Sequence, residues 1–135
     1  MGGEAMATAL KRAVRSDRAP KPIGPYAQAI VSGKLVWASG QVALDPATGE
    51  LVAGGVGEQT RQALKNLAAI MAGASTSLDH ALKATVYLAD MGDFAEMNAV
   101  YGEFFPSVPP ARTTVAVKGL PRGAKVEIDL VVAIP

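Results

Sequence analysis

The last part of the chain, residues 125–133, alternates between polar and apolar side chains. Because successive side chains of a β-strand point to opposite faces, this period of two predicts a strand with one buried face. We expect the buried face to carry Val126, Ile128, Leu130 and Val132, and the other face Lys125, Glu127, Asp129 and Val131. A sheet built on such a strand must be covered on its apolar side by a second layer from the same chain.

Two segments have the spacing of helices that can form this layer. In residues 58–72 apolar side chains recur every three or four positions, and Gly73 is a suitable terminator; the stripe is Leu64, Leu67, Ala68 and Met71. Before the second helix, residues 94–105, Asp93 and Glu96 have the spacing of an aspartate capping box. The stripe of this helix is Phe94, Met97, Tyr101 and Phe104 with Phe105.

The remaining periodic segments are short and extended. We predict strands near residues 8–16, at 27–31 and 35–39 as a hairpin, at 83–89 and at 112–117. The resulting order β-β-β-α-β-α-β-β predicts an α+β fold in which two helices cover one face of a mixed sheet.

Composition limits the chemistry available to this chain. Half of its 135 residues are hydrophobic, which is enough for one domain with a core. It has no cysteine and one histidine, His80, so we expect neither a metal site nor thiol chemistry. Thirteen basic and 12 acidic residues give a formal net charge of +1, so neither nucleic acid nor an acidic membrane is an expected partner.

We assign residues 10–135 to a single domain and residues 1–9 to a flexible N-terminal arm or an expression remnant. No apolar run approaches the roughly 20 residues needed to span a bilayer. Residues 1–18 also lack the apolar centre of a secretory signal. The expected location is the cytoplasm, with an organelle as the alternative because residues 1–18 contain several basic side chains.

The sheet face away from the helices is expected to be neither fully polar nor fully apolar. Leu35, Trp37 and Tyr87 would expose an apolar patch on a monomer, and such patches usually mark interfaces. A closed homo-oligomer packed through this face explains the patch, and a solvated face with scattered apolar residues is the alternative. In the oligomer, four polar side chains would lie at or near clefts between subunits: Ser39, Arg112, Thr114 and Glu127.

Two charged residues are candidates for chemistry. Arg112 follows a stiff Pro-Pro-Ala approach, and its planar guanidinium matches a carboxylate; alternatively, it is an ordinary surface or interface arginine. Glu127 lies mid-strand among apolar neighbours, where a carboxylate could take a proton from water. Its alternative role is a salt bridge to Lys125 or Arg112.

Three further positions could shape a pocket. Asn98 lies on or beside the apolar stripe of the second helix, so it either binds a ligand or ties the helix to a strand end. Tyr26 could line a pocket or be a core ring with its hydroxyl at the surface. In Ser39-Gly40-Gln41, glycine permits close approach of a ligand to the backbone N–H, although a plain strand-ending turn has the same composition.

Taken together, blocks of sequence from residue 23 onward resemble the reactive intermediate deaminase family, also called the RidA or YjgF family. The blocks are residues 23–29 (Ile-Gly-Pro-Tyr-Ala-Gln-Ala), 39–41, 45–50, 58–67, 83–90, 93–98, 110–114 (Pro-Ala-Arg-Thr-Thr) and 120–128. The resemblance implies a chorismate-mutase-like α+β fold and a homotrimer with a site in each intersubunit cleft. It also implies hydrolysis of 2-iminopropanoate or 2-iminobutanoate, or of the enamines 2-aminoacrylate and 2-aminocrotonate, to the 2-oxo acid and ammonia, without a cofactor or metal.

The same resemblance implies roles for individual residues. Arg112 would pair with the substrate carboxylate, helped by the Gly40 backbone N–H, and Glu127 would orient or activate the attacking water. Other side chains would shape the pocket or line it: Tyr26, Ser39, Tyr87 and Asn98.

One position departs from the family pattern. Many members have cysteine or serine two residues after the arginine, where this chain has Thr114, so no thiol is available there. Two alternative functions accompany the resemblance: ribonuclease activity or translation inhibition, and a non-catalytic small-molecule-binding or chaperone role on the same scaffold. The near-neutral charge disfavours the first, and the presence of Arg112 disfavours the second.

Overall fold

The computed structural model describes residues 10–135, so the proposed arm at 1–9 lies outside the described residues. The described part forms one sheet of six strands and two helices. The strands are β1 (Arg12–Val14), β2 (Ala29–Ser32), β3 (Leu35–Ala38), β4 (Ala81–Leu88), β5 (Ala111–Ala116) and β6 (Val126–Ala133). The helices are α1 (Val56–Gly73) and α2 (Phe94–Glu103). The predicted α+β class and element order are confirmed.

The sheet has the strand order β1-β2-β3-β6-β4-β5. Neighbouring strands are antiparallel except for β4 and β5, which run parallel because α2 carries the chain back between them. The register places Arg112 beside Ala84, and Tyr87 beside both Glu127 and Val115. Since residues in register share a face, these pairs determine which side of the sheet each side chain occupies.

The core lies between the helices and one face of the sheet. The four predicted inward positions of β6, from Val126 to Val132, are all buried, which confirms the alternation. They pack with the stripe of α1 and with Met97, Tyr101 and Phe105 of α2. Each fully buried aliphatic side chain contributes about 1.5–3 kcal/mol, so this layer contact is the main source of stability.

The predicted capping box of α2 is wrong. Asp93 makes no side-chain cap, because the residues before α2 form a 3-10 turn in which Asp90 accepts a hydrogen bond from Gly92 N–H. Glu96 instead extends to the other helix, where its Oε2 accepts a hydrogen bond from Gly57 N–H at 2.9 Å. The carboxylate therefore ties the start of α1 to α2.

Buried amide side chains hold two loops that sequence reasoning did not connect to the sheet. Gln28 Oε1 accepts from Ser16 N–H at 2.7 Å, and Gln28 Nε2 donates to Pro20 O at 3.0 Å. Asn66 Nδ2, on α1, donates to Leu44 O at 2.9 Å. These bonds fix the segments on either side of the β2–β3 hairpin. Neither helix in residues 10–135 combines the length and hydropathy of a membrane span.

Candidate functional site

Arg112 lies on the helix-covered side of the sheet, which corrects the sequence analysis. The strand alternation correctly grouped Arg112 with Thr114, but it assigned both to the open face. In the structure Arg112 is in register with Ala84 and Thr114 with Val86, and both partners are fully buried under the helices. The error arose because both faces of β5 have mixed polarity, so polarity alone does not identify the inner face.

The Arg112 guanidinium is held by aromatic rings of α2. Its Cζ atom lies 4.7 Å from the centre of the Tyr101 ring and 5.6 Å from that of Phe94. Among residues 10–135 the only ion pair joins Arg61 to Glu103, so Arg112 has no carboxylate partner there. The predicted alternative of a salt bridge between Arg112 and Glu127 is therefore wrong for the single chain.

A surface groove of about 460 Å³ opens beside this guanidinium. Asn98, Gly102, Pro109 and Pro110 line it together with Arg112. Asn98 is exposed on the rim of the groove, and its position beside Arg112 agrees with the ligand-binding alternative. The two prolines hold the entry to β5 close to α2 because each fixes its own φ.

Two buried hydroxyls near Arg112 lack hydrogen-bond partners. These are Tyr101 OH and Thr114 Oγ1, and neither finds a donor or acceptor within the described part of the chain. A buried hydroxyl without a partner costs roughly 1–3 kcal/mol, so such groups concentrate where a ligand or another chain completes the structure. We call Arg112, Thr114, Asn98 and Tyr101 the arginine half-site.

Glu127 lies on the opposite, open face, against Gly40. A side-chain Cβ at Gly40 would lie 2.8 Å from the Glu127 Cδ atom, so any larger residue would force the Glu127 carboxylate to move. The Gly40 N–H donates to no backbone or side-chain acceptor in residues 10–135 and remains available beside the carboxylate. Burial raises the pKa of Glu127, and the Asp129 carboxylate raises it further. Glu127 can therefore both give and take a proton closer to neutral pH than an exposed glutamate.

Ser39 directly precedes Gly40 at the end of β3, and Tyr26 lies in the segment before β2. Ser39 Oγ donates to Ala27 O at 2.6 Å, which ties the end of β3 to the segment before β2. Tyr26 is 50% exposed, so its alternative role as a core ring is wrong. We call Tyr26, Ser39, Gly40 and Glu127 the glutamate half-site.

Tyr87 also lies on the open face, where its hydroxyl donates to Asp129 Oδ2 at 3.0 Å. Sequence reasoning named Tyr87 but missed Asp129, although the β6 alternation had placed Asp129 on the same face. Nearby, Trp37 is 51% exposed between Ile30 and Val131, while the other two residues of the predicted apolar patch, Leu35 and Tyr87, are half-buried. The predicted patch is therefore present in part and centres on Trp37.

The two half-sites do not meet within one chain. Strand β4 lies between β6 and β5, so two strand spacings, about 10 Å, separate the strands that carry Glu127 and Arg112. The two residues are also offset along the strands and point to opposite faces. No group of three or more histidine, aspartate or glutamate side chains in residues 10–135 is arranged to hold a metal ion.

Comparison with known proteins identifies the family. A family model described as Endoribonuclease L-PSP matches residues 16–134. The chain belongs to this family. Mouse 2-iminobutanoate/2-iminopropanoate deaminase is 43% identical over 126 residues, which is 93% of each chain. Protein DfrA of Myxococcus xanthus is 49% identical over 123 residues, covering 90% of this chain and 94% of its own.

Among solved structures, E. coli TdcF with bound serine has a TM-score of 0.86 and 38% identity, over 90% of this chain and 98% of its own. The resemblance to reactive intermediate deaminases is thus confirmed for the L-PSP family fold and for membership. Other relatives have other names, among them RutC family proteins, so the family name alone does not select one substrate.

Proposed function

We propose that this L-PSP family chain hydrolyses short 2-imino acids to 2-oxo acids and ammonia, in sites that two copies of the chain complete. The observation that carries the proposal is Arg112, a half-buried guanidinium that lacks a carboxylate partner in residues 10–135 and faces a groove. A cation held in this way is a binding site for a small anion. The mouse relative named as an imine deaminase and the serine bound to TdcF support a ligand with a carboxylate and a nitrogen substituent.

In the arginine half-site the guanidinium binds the substrate carboxylate through two parallel N–H···O bonds. The exposed Asn98 amide on the groove rim contacts the polar end of the substrate. Thr114 stands where many members have cysteine or serine; its unpartnered hydroxyl offers a further hydrogen bond.

In the glutamate half-site Glu127 serves as the proton carrier. Its carboxylate takes a proton from water as the water oxygen bonds to the imine carbon and the C=N electron pair moves to nitrogen. The proton passes from Glu127 to the nitrogen and gives the carbinolamine, which carries OH and NH2 on the same carbon. Glu127 then takes the hydroxyl proton and delivers it to the amine nitrogen. The C–N bond breaks as the C=O bond forms, and the products are the 2-oxo acid and ammonia. Positioning and one proton relay suffice because imines are reactive toward water.

A second copy of the chain brings the half-sites together. The arginine half-site of one copy would face the glutamate half-site of the next, with the Gly40 N–H beside the bound carboxylate. The apolar patch around Trp37 gives the copies a surface to bury. Repeating this head-to-tail contact closes a ring, and the trimer implied by the family resemblance is the ring we propose.

The first test is the substitution Arg112→Ala. We expect kcat/KM for freshly generated 2-iminobutanoate to fall by about 100-fold or more, because a desolvated carboxylate loses its charged partner. Ammonia and 2-oxo acid release would be measured, with size-exclusion and light scattering to show that the oligomer persists. Arg122→Ala is the matched control, since this exposed arginine donates only to Gly49 O at 3.3 Å. Equal activity of Arg112→Ala and the wild type would refute the proposal.

The same preparations would be incubated with single-stranded RNA, because the family description names an endoribonuclease. We expect no cleavage above background at physiological salt. RNA cleavage by the wild type, unaccompanied by imine hydrolysis, would replace the deaminase proposal with the ribonuclease alternative.

A further inference from the structure

Tyr101 is the most buried member of the arginine half-site. It lies on α2 and is only 5% exposed. Its ring packs against Phe105 with the ring centres 4.7 Å apart and the planes inclined at 39°. Because the core packs against one face of the ring, the opposite face is held in a fixed place.

The Arg112 guanidinium lies against the Tyr101 ring. Its Cζ atom lies 4.7 Å from the Tyr101 ring centre, and the ring of Phe94, two helical turns earlier on the same side of α2, lies 5.6 Å away. Attraction to a ring acts through the charge of the guanidinium and uses none of its N–H groups. The donors that bind a carboxylate therefore stay available while the side chain is held in place.

The hydroxyl of Tyr101 does not explain why a tyrosine is present. It is buried without a hydrogen-bond partner in residues 10–135. A buried, unpartnered hydroxyl is unfavourable, so its removal should cost no stability. Burial raises the pKa of this hydroxyl and the Arg112 charge opposes that rise, so Arg112 also acts on the hydroxyl, but its close contact is with the ring.

We propose that Tyr101 is a positioning residue: its ring orients Arg112 for the substrate carboxylate before the substrate arrives. The inference rests on the proposed function only for the identity of the substrate. Arginine loses considerable rotamer freedom when it binds a ligand, and a ring that restricts the side chain in advance reduces that loss. Tyr101 thereby acts on affinity through Arg112 without touching the reacting carbon.

The test compares the wild type with Tyr101→Phe and Tyr101→Leu, each as the full-length oligomer. Calorimetric titration with 2-oxobutanoate, the product of the proposed reaction, reports binding independently of turnover. We expect Tyr101→Phe to bind within about twofold of the wild type and Tyr101→Leu to bind about tenfold more weakly. In the imine assay the leucine variant should raise KM with little change in kcat.

Because Tyr101 is buried, folding must be controlled. Phe104→Leu removes a partly buried ring from the end of the same helix that does not lie over Arg112, and it should bind the probe like the wild type. If Tyr101→Leu fails to fold, Phe94→Leu replaces it, since Phe94 is 38% exposed; we then expect about threefold weaker binding.

Three results would overturn the inference: wild-type affinity in both leucine variants, equal losses in Tyr101→Phe and Tyr101→Leu, or no binding of 2-oxobutanoate by the wild type. A wild type that binds 2-oxobutanoate in a ring-dependent manner but hydrolyses no imine would refute the proposed function and leave the role of Tyr101 intact.

Discussion

At the scale of single residues, the unusual environment of Glu127 is its combination of burial with a second acid. Asp129, two positions along β6 on the same face, keeps the hydrogen bond from Tyr87 OH. Burial raises the pKa of Glu127, and the Asp129 carboxylate raises it further. A carboxyl whose pKa is shifted toward neutral pH is suited to exchanging protons in a reaction.

This environment predicts a pH dependence for Glu127→Gln. The pKa of Glu127 is raised above 4.5 in the folded chain, so its contribution to stability is complete below the pKa of the unfolded chain and is lost as the pH rises through the raised value. Glutamine does not ionise, so the variant should gain stability relative to the wild type across that window. Urea denaturation at fixed protein concentration, repeated from acidic to neutral pH, measures the difference.

The same variant should lower kcat by at least about 100-fold, because it removes the proton carrier. Glu50→Gln, an exposed loop position, is the control for both measurements. Intact kcat with only a raised KM would contradict the proton role, and a stability difference independent of pH would contradict the raised pKa.

At the scale of elements, α2 links Arg112 on β5 to helix α1. It bears the ring that supports Arg112, and through Glu96 it caps the backbone of α1. A carboxylate at a helix N-terminus also interacts favourably with the helix dipole. The position of α2 against α1 therefore controls the position of the arginine half-site, even though no residue of α1 lines the groove.

The corresponding prediction is that Glu96→Gln destabilises the fold by about 1 kcal/mol, because the charge-assisted bond to Gly57 N–H becomes a neutral one. Glu103→Gln is a matched control: it also links α2 to α1, through the exposed Arg61 pair, and should cost less than Glu96→Gln because water screens an exposed ion pair. Chemical denaturation of both variants gives the comparison. Equal losses would show that the cap contributes no more than a surface ion pair.

At the scale of the whole molecule, the decisive fact is that the proposed site is divided between the two faces of one sheet. Arg112 lies under α2 at the edge strand β5, and Glu127 lies on the open face two strands away. Within a single chain, the arginine half-site and the glutamate half-site therefore cannot contact the same substrate. If the proposed function is right, activity depends on assembly and not only on folding.

Subunit mixing tests this dependence. Arg112→Ala and Glu127→Gln are each expected to be inactive, but each retains one intact half-site. Refolded or exchanged together at equal amounts and separated from the parent oligomers, they should recover about a third of the wild-type activity, because one of the three contacts in each mixed trimer joins two intact half-sites. Mixed oligomers isolated with two affinity tags, assayed by ammonia release, provide the measurement. No recovery in verified mixed oligomers would place both half-sites in one chain.

The sequence by itself determined the element types and the inward positions of β6 and α1, because period and polarity agree in those segments. Its motifs also predicted the family, which the comparisons confirm. Only the tertiary structure decided three features: the sheet face that carries Arg112, the hydrogen-bond partner of Glu96, and the burial of the Tyr101 hydroxyl without a partner in residues 10–135. Alternation within a strand gives relative faces, whereas the absolute face of β5 depends on its register with β4, a long-range pairing that its mixed polarity does not encode.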